Sequence, residues 1–306
     1  MVTRHILAFI LLVISSVYAK GADWGRYWIS SESNINNQIW FRRTYLIPER
    51  VKNASIEICS NAKFELFING RNVSNDVLIP YNNHGKDSVL EMRYDVGRFF
   101  QNNNDTATIA VWYSPDFRIN NNRELSAQIF GTLRNGKSFE FHSDSTWLWH
   151  DANAKIFADQ RECIDGNDYM KEWNLNNCDI SRWYFCTPVI DKTPLITAFY
   201  PLWNDYSFYV KKIHYPISIT ESNDTITYNF GAEYSGMIRL TMRGMNKGDS
   251  INADGLTYIC RGVDDEQAFR RFTVSRARFV NVSGSNITAE KIVKSEFLEV
   301  GKHQTR

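Results

Sequence analysis

Several things are missing from this 306-residue sequence. No Cys-x-x-C occurs among its five cysteines, so neither a dithiol redox motif nor a zinc knuckle is supported. The six histidines are scattered, with no His-x-x-x-His or His-Glu spacing that would hold a metal or activate a nucleophile. There is no G-x-x-x-x-G-K-[ST] phosphate loop. Ser235, in the run Phe230 to Gly236, lacks the G-x-S-x-G elbow of a serine hydrolase, and that run reads as a turn before a strand. Charge of one sign is also missing. A formal net charge of +1 provides no field for nucleic acid or an acidic membrane surface, so neither is expected as a partner. Long amphipathic helical patterns are absent, and beyond the start no apolar run is long enough to cross a bilayer as a helix.

The start is different. Arg4 and His5 precede an apolar run from Ile6 to Val17, too short to span a membrane, and Val17-Tyr18-Ala19 offers a signal-peptidase site. Residues 1–19 are therefore expected to be a signal peptide, and the mature chain a secreted or periplasmic protein. In an oxidising compartment Cys163, Cys178 and Cys186 are close enough in sequence to be compatible with one bridge. The odd count leaves at least one thiol free or paired with another chain.

What is present is strand grammar. In Phe64 to Asn69, Phe64, Leu66 and Ile68 fall on one face and Glu65, Phe67 and Asn69 on the other. Asn69-Gly70 then closes a hairpin, because both residues tolerate positive φ. The pattern repeats at Ala54 to Cys59 and at Ala107 to Val111. It recurs at Gln128 to Phe141 around Asn135-Gly136, and again at Ile226 to Phe230, Ile238 to Met242 and Phe279 to Val282. Phe99-Phe100 reads as one helical turn. Four of the seven prolines fall between Thr187 and Pro216, which marks a linker or domain boundary. The fold class is all-β: two antiparallel β-sandwich domains of jelly-roll, galactose-binding-like type in tandem, over 20–190 and 191–306.

The order of these motifs resembles the N-terminal, non-catalytic β-domains of bacterial α-L-rhamnosidases of glycoside hydrolase family 78. The resemblance runs through Phe41-Arg42-Arg43, Phe64 to Gly70, Tyr94-Asp95-Val96, Trp112-Tyr113 and Asp144 to Trp147. It continues through Asp165-Gly166-Asn167-Asp168-Tyr169, Trp183, Tyr228 to Gly231, Gly248-Asp249, Arg271-Phe272-Thr273 and Arg278-Phe279-Val280. In that family the catalytic carboxylates lie in an (α/α)6 barrel that follows this region. No pattern for such a barrel occurs before Arg306, so the resemblance carries no catalytic residue onto this sequence. It implies carbohydrate binding, in some members through a calcium ion. Two positions depart: Asn167 stands where the family has Glu, and Met170 where it has Asp.

Two groups of residues have the chemistry for sugar. Asp165, Asn167, Asp168 and Glu172 are oxygen ligands at short spacing, which suits sugar hydroxyls or a hard cation such as calcium, though no EF-hand loop is present. Trp147, Trp149, Tyr169, Trp173 and Trp183 are rings among polar residues, where sugar C–H faces could stack. The candidate site is therefore Trp147, Trp149, Asp165, Asn167, Asp168, Tyr169 and Trp173. The expected function is binding of a rhamnose-containing glycan without cleavage. The alternatives are a component of a split rhamnosidase, partnered with a separate glycoside hydrolase chain, and a structural or interaction protein.

Overall fold

The computed structural model describes residues 27–302, apart from 48, 61, 81–87, 101–105, 118–122, 190–194, 201–207 and 223. The apolar run Ile6–Val17 lies outside the described residues. Among them, strands dominate, joined by three short 3-10 helices at Gly97–Phe100, Gly166–Asp168 and Ala289–Lys291. No helix among them is long and apolar enough to cross a membrane.

Hydrophobic alternation explains the layers. Phe64, Leu66 and Ile68 are buried, while Glu65 and Phe67 are partly open. Asn69 and Gly70 take φ of 51° and 77°, the left-handed values that a tight hairpin needs. Asn69 also ties its turn to the neighbouring strand, since its Oδ1 accepts from Thr108 N at 2.9 Å. The first sheet has seven strands, in the order Thr187–Pro188, Trp28–Ser30, Glu124–Leu133, Val51–Ser60, Ser88–Asp95, Leu195–Tyr200, with Ser138–His142 paired to Glu124–Leu133. It packs on Leu148–Ile156, Asn37–Leu46, Thr106–Ser114 and Lys63–Ile68 of the second sheet. One core joins the two, with Ile29, Ile56, Ile58 and Leu125 on one side and Ile39, Phe41, Phe64 and Val111 on the other.

The proline-rich stretch does more than connect. Thr187–Pro188 pairs antiparallel with Trp28–Ser30, and Leu195–Tyr200 pairs parallel with Ser88–Asp95, so it supplies both ends of the first sheet. The second half has its own core of Ile226, Tyr228, Ile238, Leu240, Val280, Val282 and Phe297. Its longest strand, Thr225–Met242, runs straight through 230–236, which the sequence had suggested was a turn. Gly231 at φ 85° accommodates the break there, where the pairing with Ser275–Gly284 shifts register between Asn229 and Tyr234.

The halves are joined through the backbone. Glu162–Asp165 pairs parallel with Leu256–Ile259, so the second sheet continues across both halves as fifteen strands. Side chains reinforce the join. Glu162, fully buried, accepts from Arg271 N at 3.1 Å, Phe272 N at 2.9 Å and Thr273 Oγ1 at 2.6 Å. Lys63 Nζ donates to Phe272 O at 2.7 Å, and Arg270 donates to the carbonyls of Asp254 and Gln160 at 2.6 and 3.0 Å. Phe272 is buried with Trp40, Trp112 and Trp173 of the first half. All five cysteines are free, so no bridge links Cys163, Cys178 and Cys186. Burial raises the pKa of each thiol, with Cys260 pushed up to about 12, so the thiolate is disfavoured.

Candidate functional site

The structure separates the seven candidate residues into two sets. Trp147 is buried in the first core and its Nε1 donates to Tyr45 OH at 2.7 Å. Trp149 lies in the same core, its ring 5.0 Å from that of Tyr184. Trp173 is 1% exposed, stacked on Trp40 at 5.2 Å and edge-on to Trp112 at 5.8 Å. These three rings are covered by protein and offer no face to a sugar.

Asp165, Asn167, Asp168 and Tyr169 stay near the surface. Asp165 ends the joining strand and caps a 3-10 turn, its Oδ1 accepting from Asn167 N at 2.9 Å and Nδ2 at 3.0 Å. Asn167 Nδ2 also reaches Cys260 O at 3.2 Å. These polar groups thus fasten their loop to the second half. Asp165 Oδ1 is thereby occupied by two Asn167 N–H donors. Among the described residues no three His, Cys, Asp or Glu side chains gather to hold a metal. Tyr169, 37% exposed, leans edge-on against Trp40 at 6.1 Å.

Tyr169 opens onto a cleft of about 450 Å³ between the halves. One wall carries Trp112, Asn153, Gly166 and Tyr169; the other carries Tyr258, Arg261, Asp264, Asp265, Glu266, Gln267, Phe269 and Arg271. The joining strands set its depth. Gly166 has to be glycine here, because a Cβ would stand 2.7 Å from Tyr258 OH and 2.8 Å from Arg261 Cγ. Glu266, 5% exposed, accepts from Tyr258 OH at 2.9 Å, Arg261 N at 2.7 Å and Gly262 N at 3.1 Å. Burial, and then Glu266, push the Tyr258 phenol well above its usual range, so it remains a donor. Arg243 grips Asp265 with two bonds of 2.7 and 3.0 Å, which lowers that carboxyl's pKa. Arg271 pairs with Glu65 at 2.6 Å and lies 4.1 Å over the Trp112 ring. The site thus offers aromatic surface, hydrogen-bonding side chains of both signs, and no reactive thiol.

Of the seven candidates, Tyr169 lines this cleft and the other six do not; the far wall was not among the candidates. Arg261, Asp264, Asp265 and Glu266 follow a short strand in a polar run, and nothing in their spacing says that they face Tyr169. The only available signal was indirect: a buried segment such as Arg271-Phe272-Thr273 must pack somewhere.

Against known proteins, the model of the alpha-L-rhamnosidase N-terminal domain matches residues 49–207. The chain belongs to that family. This places it with the ancillary region of rhamnosidases, and the matched span includes Gly166 and Tyr169 but not the 258–271 wall. An alpha-L-rhamnosidase of Formosa agariphila is 23% identical over 190 residues, 54% of this chain and 20% of the relative. A second from the same organism is 21% identical over 290 residues, 80% of this chain and 30% of the relative. The chain therefore spans less than a third of either. The solved alpha-L-rhamnosidase of Dictyoglumus thermophilum superposes with a TM-score of 0.77 at 22% identity, over 91% of this chain and 36% of that one. That of Streptomyces avermitilis, complexed with L-rhamnose, gives 0.75 at 19% identity over 87% and 29%. The arrangement of both halves therefore recurs in rhamnosidase structures.

Proposed function

We propose that this chain is a secreted or periplasmic carbohydrate-binding β-protein of the rhamnosidase type, which holds a glycan in the cleft between its halves without cleaving it. The observation that carries this reading is the cleft itself. Its volume of about 450 Å³ lies within the roughly 300–1,000 Å³ usual for small-ligand sites. Its exposed ring, Tyr169, lines it together with Arg261, Gln267 and Asp264 of the other wall, a combination suited to the apolar faces and hydroxyls of a sugar. Rhamnose-containing glycans are the first candidates, given the family.

Binding is favoured over cleavage by the state of the acids. Inverting glycoside hydrolysis needs an acid and a base roughly 6.5–9.5 Å apart and free to exchange protons with substrate and water. Both oxygens of Glu266, the cleft's buried acid, are engaged by Tyr258 OH and two backbone N–H groups. Asp265 is clamped by Arg243.

Isothermal titration with L-rhamnose and rhamnosyl oligosaccharides tests the reading. Heat at millimolar ligand, lost in Tyr169→Ala but kept in Trp147→Phe, is the expected result. No heat with any of these sugars overturns it. Release of nitrophenol from nitrophenyl rhamnoside, abolished by Asp264→Asn, would overturn the non-catalytic part.

A further inference from the structure

We propose that the cleft selects neutral sugar units and turns away acidic ones, an inference that rests on the carbohydrate reading above. Two features carry it, one acting against a ligand carboxylate and one in favour of a ligand hydroxyl. The first is charge. Arg261 and Arg271 face the cleft with three carboxylates, Asp264, Asp265 and Glu266. Arg271 is neutralised by Glu65 at 2.6 Å, and Asp265 by Arg243 at 2.7 Å. Arg261 is then left against Asp264 and Glu266, with one negative charge in excess. Glu266 is 5% exposed and its hydrogen-bond partners are neutral donors, so none of them cancels its charge, while exposed Asp264 carries the part of the field that salt screens. A ligand carboxylate entering there meets repulsion; a hydroxyl does not.

The second feature is Asn153. It lines the cleft at 8% exposure, and its Nδ2 donates to Asp165 O at 2.8 Å. Its Oδ1 is buried and accepts no hydrogen bond within the protein. A buried acceptor in this state favours a ligand that brings a donor. A sugar hydroxyl can donate to it. An ionised carboxylate only accepts, so Asn153 disfavours an acid where the ligand's carboxylate, and not one of its hydroxyls, would face it.

The test is isothermal titration of the full chain with sugars matched except at carbon 6: galactose against galacturonate, and mannose against mannuronate, with L-rhamnose as a further neutral sugar. The neutral member is expected to bind at least about tenfold more tightly at low salt, and the ratio to shrink as salt rises. Asp264→Asn, a surface change, should narrow the ratio severalfold. Asn153→Leu should weaken the neutral sugar about tenfold while the circular dichroism spectrum is retained. Equal or tighter binding of the acidic member, or no change in the ratio on Asp264→Asn, overturns the selectivity and leaves the cleft as a carbohydrate site. Heat from none of these sugars overturns both.

Discussion

The loop 166–185 and the stretch 258–271 are alike in composition, polar and punctuated by rings, yet they end differently. The loop winds through successive tight turns, with Trp173 N on Met170 O at 3.3 Å and Leu175 N on Glu172 O at 2.9 Å. Arg42 reaches over to hold Leu175 O at 2.6 Å and sits 5.5 Å from the Trp183 ring. Trp173 and Trp183 are thereby drawn inward, while Tyr169, Tyr184 and Phe185 stay exposed. The stretch 258–271 alternates instead: it leaves the joining strand, pairs through Glu266–Phe269 with Thr225–Met242, buries Tyr258, Cys260, Glu266, Ala268 and Arg270, and turns Arg261, Asp264, Asp265 and Gln267 to the cleft. The difference teaches that rings among polar residues do not by themselves mark a stacking surface. What decides is what packs over each ring: Trp173 meets Trp40, Trp112 and Phe67, whereas Tyr169 meets the edge of Trp40 and keeps 37% of its surface exposed.

That contrast can be broken by experiment. Trp173→Ala should have the largest effect, costing roughly 3–5 kcal/mol in urea unfolding, because a ring buried among Trp40, Trp112 and Phe67 leaves a cavity. A cost below about 0.5 kcal/mol, as at ordinary surface positions, would mean that the ring is not core. Glu162→Gln follows, at roughly 1–3 kcal/mol, since an amide NH₂ would face the donors Phe272 N and Thr273 Oγ1. Unfolding should remain a single transition by both tryptophan fluorescence and far-ultraviolet circular dichroism; two separate transitions would show that the halves are independent. Gly166→Ala sharpens the cleft side of the comparison. Its Cβ meets Ile259 O at 2.9 Å as well as Tyr258 and Arg261, and the expected cost is about 1–2 kcal/mol together with weakened sugar heat. Unchanged heat would detach the cleft from ligand binding.

The smallest effect concerns pH and lies away from both loops. Glu299 is held below its ordinary value of 4.5, first by the bond to His214 at 2.7 Å and then by Lys211. A carboxylate whose pKa is depressed on folding stabilises the protein above its unfolded pKa, and that stability is lost as pH falls through the folded value. The native protein should therefore lose stability below about pH 4.5 more steeply than Glu299→Gln. Parallel acid-unfolding curves for the two proteins would remove Glu299 from this account.

Much of the fold could be read from the sequence. The alternation at Phe64 to Ile68, the positive-φ turn at Asn69-Gly70 and the helical turn ending at Phe100 are local signals, and each has a local cause. The exposures of Trp147, Trp149 and Trp173 could not be read, because alternation reports which face of a strand is apolar and not what covers a loop. The second wall of the cleft was hidden for a related reason. It depends on Asp165 and Ile259 lying side by side, a parallel pairing between residues far apart in sequence, which no short-range pattern encodes.

That parallel pairing bears on how the protein can be handled. A cut near residue 190, where the prolines invite one, would strip Glu162–Asp165 of one of its two neighbours, Leu256–Ile259. It would leave open peptide groups along a sheet margin and bare the indole of Trp112 where Arg271 now shelters it. Such a fragment would be prone to stick to its own copies. Any unit grafted or expressed should accordingly keep both halves together.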